Sequence, residues 1–179
     1  MSFKGLSVFH RTKVLNEMSN RSTTDDVVNY DADIITPPMQ FVEALRLLKA
    51  GADFVYPYDG RFARVGRHTW LNRLIKETDI GIVGDYEFRG KHGKPLPISS
   101  VGGAVCVNKK SFEESGMENE KMISYAPEDC ERWDRWHILG YDVRRVKGCV
   151  YHIDHWIGVN SSSRNPYFEA AHRLLDKMR

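Results

Sequence analysis

Only three cysteines, Cys106, Cys130 and Cys149, occur in the 179 residues, and none forms a C-x-x-C pair. That argues against a zinc ribbon or a dithiol redox motif, and an odd, sparse count fits a reducing compartment. No apolar window is long enough to span a bilayer, and Met1-Ser2-Phe3-Lys4-Gly5 has no apolar signal core. There is no long basic run. A net charge of +2 is too small to argue for nucleic acid or an anionic membrane surface. Repeats and low-complexity tracts are also missing. What remains is ordinary for a globular protein with a real core: 41% hydrophobic and 28% charged residues, expected to form one domain over residues 1–179. The expected placement is cytoplasmic, or peripheral on the cytoplasmic face of a membrane, with no nucleic-acid partner and no transmembrane segment.

The most informative stretch is Val27-Val28-Asn29-Tyr30-Asp31-Ala32-Asp33-Ile34-Ile35-Thr36-Pro37-Pro38. Val and Ile favour a strand. Pro37 and Pro38 cannot continue one, but the second suits the first turn of a helix. Asp31 and Asp33 therefore fall at the carboxyl end of a strand, where open α/β sheets bind ligands. Two carboxylates there can hold a divalent cation, and the cation a diphosphate. They can equally be two solvated acids in a turn.

Around this stretch the patterning predicts a short helix ending near residue 20, a strand over 27–31, a helix over 39–50 and a strand over 52–56. That succession is a βαβ unit, so an α/β fold with a mostly parallel sheet is expected. Further on come a helix over 69–77 and a mobile loop over 85–99, read as a lid. A strand over 102–107, helices over 110–115 and 128–139, strands over 141–146 and 149–153, and a helix from 166 to the end complete the chain.

Three further clusters stand out. Gly102-Gly103 marks a bulge or a close backbone approach to a ligand. Glu128 and Asp129 open a helix after Tyr125-Ala126-Pro127. They complement the macrodipole there, and beside an aromatic ring they also suit a sugar site in which a carboxylate takes a hydroxyl proton. His152 and His155 flank Asp154 at a strand end. Strand alternation would turn them to opposite sides, so only His155, just past the strand, is expected to join a site.

Together these segments resemble galactosyltransferase-like glycosyltransferases of the GT-A fold, of the family 2/family 7 type. Phe9-His10-Arg11-Thr12-Lys13-Val14-Leu15-Asn16 looks like that family's Phe-Asn-Arg-Ala-Lys-x-Leu-Asn segment, and Asn29 to Ile35 like its Asp-x-Asp strand. Val101-Gly102-Gly103-Ala104-Val105 with Asn108-Lys109-Lys110-Ser111-Phe112 resembles its glycine-pair block. Gly116-Met117-Glu118-Asn119 is similar to its Gly-Phe-x-Asn turn. Tyr125-Ala126-Pro127-Glu128-Asp129 stands where the family has Trp-Gly-x-Glu-Asp, and His155 resembles its late metal-binding His.

The resemblance implies a metal-dependent inverting transferase that moves a sugar from a UDP-sugar to a hydroxyl of a carbohydrate acceptor, as in polysaccharide synthesis. Asp33 and His155 would hold Mn²⁺ (or Mg²⁺), and Asp31 would lie near the ribose or donor sugar. Phe9 and Arg11 would contact the nucleotide, with Gly102 and Gly103 against the donor sugar. Asp129 would be the general base, Glu128 would orient the acceptor, and Tyr125 would be its platform. Family members carry further strands ahead of the Phe-x-Arg-x-Lys segment, and only eight residues precede Phe9. The expectation is therefore either a truncated relative, a single catalytic domain incomplete at its N-terminus, or a second copy or partner chain that completes the sheet. Two other readings compete: a catalytically silent binding or assembly module, and a metal-dependent hydrolase using Asp31, Asp33, His152 and His155.

Overall fold

The computed structural model describes residues 8–65, 99–158 and 161–179. The helix expected over 69–77 and nearly all of the expected lid loop lie outside them. Helix α1 (Arg11–Arg21) is followed by β1 (Asp26–Tyr30), β2 (Ile34–Ile35), α2 (Pro38–Lys49), β3 (Phe54–Tyr56) and β4 (Arg61–Val65). Then come β5 (Ala104–Asn108), α3 (Lys109–Glu114), α4 (Glu128–Ile138), β6 (Val143–Arg145), β7 (Cys149–Ile153) and α5 (Phe168–Met178). Pro38 occupies the first turn of α2, where its missing N–H costs nothing. Gly51 follows that helix at φ +100°, the left-handed conformation that ends helices.

The protein is mixed α/β, and its described residues form two sheets. One has the order β1-β5-β3-β6 and the other β2-β7-β4. The expectation of a mostly parallel sheet needs correction: of the five pairings among the described residues, β3·β6 and β4·β7 are parallel and the other three antiparallel. The βαβ crossover from β1 through α2 to β3 is present, and the two strands share a direction. They are not neighbours, however, because β5 returns between them antiparallel to both. Strand β4 has no counterpart among the expected elements. Its Arg61-Phe62-Ala63-Arg64-Val65 follows a turn-rich Pro57-Tyr58-Asp59-Gly60 and gains its role only by pairing with β7.

The core lies on the two faces of the first sheet. On one face Phe54 stacks on Trp136 of α4 at 3.6 Å between ring centroids, with Val105, Val107 and Phe112 around them. On the other, Ala44 and Leu48 of α2 cover Val55 and Cys106. These packings fix α4 and the Asp31–Asp33 turn against the carboxyl end of β1. Helix α1 docks differently. Its buried residues are Thr12, Asn16 and Ser19, while Val14 and Met18 are exposed. Thr12 Oγ1 donates to the Met122 carbonyl (3.0 Å), and Asn16 exchanges hydrogen bonds with the Glu118 backbone (3.0 and 2.8 Å). Hydrogen bonds with distant backbone thus place Arg11, the first residue of the helix.

Candidate functional site

Asp31-Ala32-Asp33 carries the chain from one sheet to the other. The Asp31 N–H donates to the Gly103 carbonyl (2.9 Å), and the Asp33 carbonyl accepts from the Ile153 N–H (2.9 Å). Anchored to different strands, the two carboxylates enter different clusters.

The Asp33 carboxylate meets two imidazoles. Its Oδ2 lies 2.7 Å from His155 Nε2 and 3.3 Å from His152 Nε2, and the three ligand-type atoms lie within 4.8 Å of one another. The expectation that only His155 would join the site is corrected: both histidines meet Asp33. Strand β7 ends at Ile153, so alternation does not extend to His155 and the chain turns it back towards His152. The His155 imidazole is held above its ordinary value, first by the hydrogen bond with the Trp156 carbonyl (2.8 Å), then, against slight desolvation, by Asp33. Two ligands about 2.1 Å from one ion and at right to tetrahedral angles sit roughly 3.0–3.4 Å apart. The 3.3 Å between Asp33 and His152 falls in that range, whereas the 2.7 Å to His155 is that of a direct ion pair, which would have to open by a few tenths of an ångström to admit an ion. One carboxylate with two imidazoles suits a first-row transition ion better than Mg²⁺, which prefers an all-oxygen shell.

The Asp31 carboxylate turns to Arg11. The Arg11 guanidinium pairs with both Asp31 and Glu128 and stands 3.8 Å from Asp129 Oδ2. Burial works against its charge, but Asp129, Asp31 and Glu128 together hold it well above the ordinary arginine value. Burial also pushes the Asp31 carboxyl up, and the charges of Asp129 and Asp33 add to this while Arg11 opposes it. Asp31 thus senses both clusters. Glu128 is 5% exposed, and its carboxyl is pushed up to about 7, by burial first and then by Asp129, against Arg11. Its Oε2 is buried without a hydrogen-bond partner.

Asp129 is held from below. Arg132, one turn along α4 and 2% exposed, pairs with Asp129 Oδ1 and with Glu118. Glu118 in turn accepts from Asn29 Nδ2 on β1 (3.1 Å). Desolvation opposes the Arg132 charge, but Glu118 and Asp129 hold it well above its usual value. The role of Arg132 was not among the sequence expectations. The signal available was its i, i+3 spacing from Asp129, which fits an ordinary helix-surface pair equally well.

The glycine pair has a structural reason. A Cβ on Gly102 would stand 2.7 Å from Asp129 Oδ2. Gly103 has φ +89°, and a Cβ there would stand 3.1 Å from Ile34 and 3.2 Å from Phe62. The close approach in this structure is therefore to Asp129 and to the second sheet.

Of the expected site residues, Arg11, Asp31, Gly102, Glu128 and Asp129 come together, with Asp33 and His155 in the adjoining cluster. Gly103 sits beneath them. Phe9 is 55% exposed ahead of α1. Tyr125 is also exposed, and its ring stacks on Phe168 of α5 at 5.9 Å. Among the described residues no helix is long and apolar enough to cross a membrane. No protein-family model matches this chain, and no curated protein matches it.

Proposed function

We propose that the protein is a metal-dependent inverting glycosyltransferase of the GT-A type, moving a sugar from a UDP-sugar to a hydroxyl of a carbohydrate acceptor. The observation that carries this reading is the division of labour across one three-residue turn. Asp33 faces two imidazoles, a cation-type donor set, while Asp31 faces the Arg11–Glu128–Asp129 cluster.

Asp33, His155 and His152 would hold the ion, with Mn²⁺ favoured over Mg²⁺ by the two nitrogen donors. The ion supplies positive charge to a leaving diphosphate. Asp129 is the general base. Arg132 occupies its Oδ1, which leaves Oδ2 to take the proton of the acceptor hydroxyl, a contribution of about 10²–10⁴-fold. Glu128, with a buried and unpartnered Oε2, orients the acceptor by accepting from a second hydroxyl. Arg11 neutralises the carboxylates at rest and would contact the nucleotide beside the ion. The acceptor oxygen would attack the anomeric carbon in line as the bond to the diphosphate breaks and Asp129 takes the hydroxyl proton, so a single displacement inverts the centre without a protein nucleophile.

Calorimetric titration of UDP with and without Mn²⁺, with Asp33→Ala as control, tests the donor half. Mn²⁺-dependent binding lost in the variant is the expected result, and no binding to the folded chain overturns the reading. Asp129→Asn should keep UDP binding and lose transfer; transfer at the normal rate would refute the base assignment.

A second reading, a silent assembly module, is favoured by one observation. β1 is an edge strand among the described residues, and Val28 and Tyr30 on it are each 41% exposed. A strand from a second copy or another chain fits such an edge. Stable folding with neither UDP nor metal binding would select this reading.

A further inference from the structure

A cavity of about 410 Å³ opens beside α4, with Val101, Cys130, Trp133, Asp134, Arg145 and Arg179 in its walls. Cys130, Trp133 and Asp134 share one helix face by their i, i+3, i+4 spacing. Two wall residues adjoin the proposed transfer site in sequence: Val101 precedes Gly102, and Cys130 follows Asp129. Asp129 also lies one turn before Trp133 on α4, so the cavity wall and the proposed base share that helix.

The chemistry of the walls is specific. The Arg145 guanidinium lies over three rings, 4.6 Å from the Trp133 centroid, 5.0 Å from Tyr56 and 5.7 Å from Tyr58, and donates to the Ser100 carbonyl (3.0 Å). Among the described residues no carboxylate pairs with it. Asp134, the acid in the wall, is engaged by Arg179 at 2.8 Å. Among the described wall side chains, Arg145 and Arg179 against Asp134 leave an excess of one positive charge. Its principal cation is held in place by stacking and not by an anion. A planar guanidinium fixed in this way loses little freedom when it grips a carboxylate with two N–H groups, and the Trp133 ring offers an apolar face beside it.

We propose that this cavity binds the carboxylate of an acidic sugar in the acceptor glycan, with Arg145 as the residue that reads it. The assignment of the sugar to the acceptor rests on the glycosyltransferase reading; the binding site itself does not.

The test is titration of the full chain with tetragalacturonate and with its methyl ester, which keeps the sugars and removes the charge. The acid should bind at least about tenfold more tightly than the ester, as expected of a charge-assisted pair. Arg145→Gln should remove that preference. Asp134→Asn, which deletes the acid in the wall, should tighten binding of the acid, and it decides the matter if Arg145→Gln does not fold. Equal binding of acid and ester, no binding of either, or a preference untouched by both variants overturns the proposal. So does displacement of the tetrasaccharide by an equal concentration of inorganic phosphate, which would mark a general oxyanion pocket. UDP with Mn²⁺ is titrated into the same preparation. Its binding without acid discrimination fells this inference alone. Acid discrimination without UDP binding fells the transferase reading alone.

Discussion

Arg132 and Asp129 pair within the first turns of α4, and the guanidinium that holds the Asp129 carboxylate is itself almost wholly buried against Glu118. The pair joins the surface of the site to the interior. Glu118 reaches back to Asn29 on β1, so the strand that delivers Asp31 and the helix that delivers Asp129 share one hydrogen-bonded chain.

Replacing Arg132 with Met should therefore cost more than a surface pair does. It leaves Glu118, whose side chain is fully buried, without its counter-charge, at about 3–5 kcal/mol. Urea denaturation measures this directly. Arg132→Lys should recover part of the stability but not the two-carboxylate grip. A loss below about 1 kcal/mol for Arg132→Met would show that the buried pair does not hold α4 in place.

The two glycines should separate stability from chemistry. Gly103→Ala forces a side chain into the left-handed region and against Ile34 and Phe62, at about 1–3 kcal/mol, visible as a lower melting temperature. Gly102→Ala meets only the end of the Asp129 side chain. It should leave UDP and metal binding near normal while lowering kcat, because the carboxylate must swing away. Unchanged transfer by Gly102→Ala would remove Asp129 from the base role.

Glu128 sets a pH dependence of known sign. Its carboxyl lies at about 7 in the folded chain against an ordinary 4.5. Between those values the folded chain keeps a proton that the unfolded chain has lost. The contribution of this group is therefore fully present below about pH 4.5 and falls away as pH rises towards 7, by at most about 3.5 kcal/mol at ~1.4 kcal/mol per pH unit. His155, also raised, acts in the same sense, its contribution being lost as pH rises above the ordinary imidazole range. Melting temperatures from pH 5 to pH 8 should fall less steeply for Glu128→Gln than for the parent chain. An identical slope in both would contradict the assignment.

Metal binding should depend on both histidines. His152→Ala and His155→Ala should each weaken Mn²⁺ binding at least about tenfold, followed by the electron paramagnetic resonance of free Mn²⁺. Chelation should reverse any Mn²⁺-dependent rise in melting temperature. An effect from His155→Ala alone would restore the two-ligand site that strand alternation predicts.

Most elements were legible in the sequence because their signals are local. Pro37-Pro38 and Gly51 bracket α2, Pro127 with Glu128 and Asp129 opens α4, and the strand over 149–153 matches β7. The acids of the site were equally visible as Asp31, Asp33, Glu128 and Asp129. Strand β4 was not, since Arg61 to Val65 shows no apolar alternation strong enough to stand out from the preceding turn.

By itself, then, the sequence determined most of the helices and strands, though not β2 or β4, and which residues bring charge to the carboxyl end of β1. Tertiary structure alone decided how those residues group. It set β5 antiparallel between β1 and β3, sent Asp31 to Arg11 and Asp33 to the two histidines, and buried Arg132 between Glu118 and Asp129. The physical reason is range. Periodicity, caps and turns act over a few residues, whereas Arg11 meets a carboxylate 117 positions away only once the core has packed.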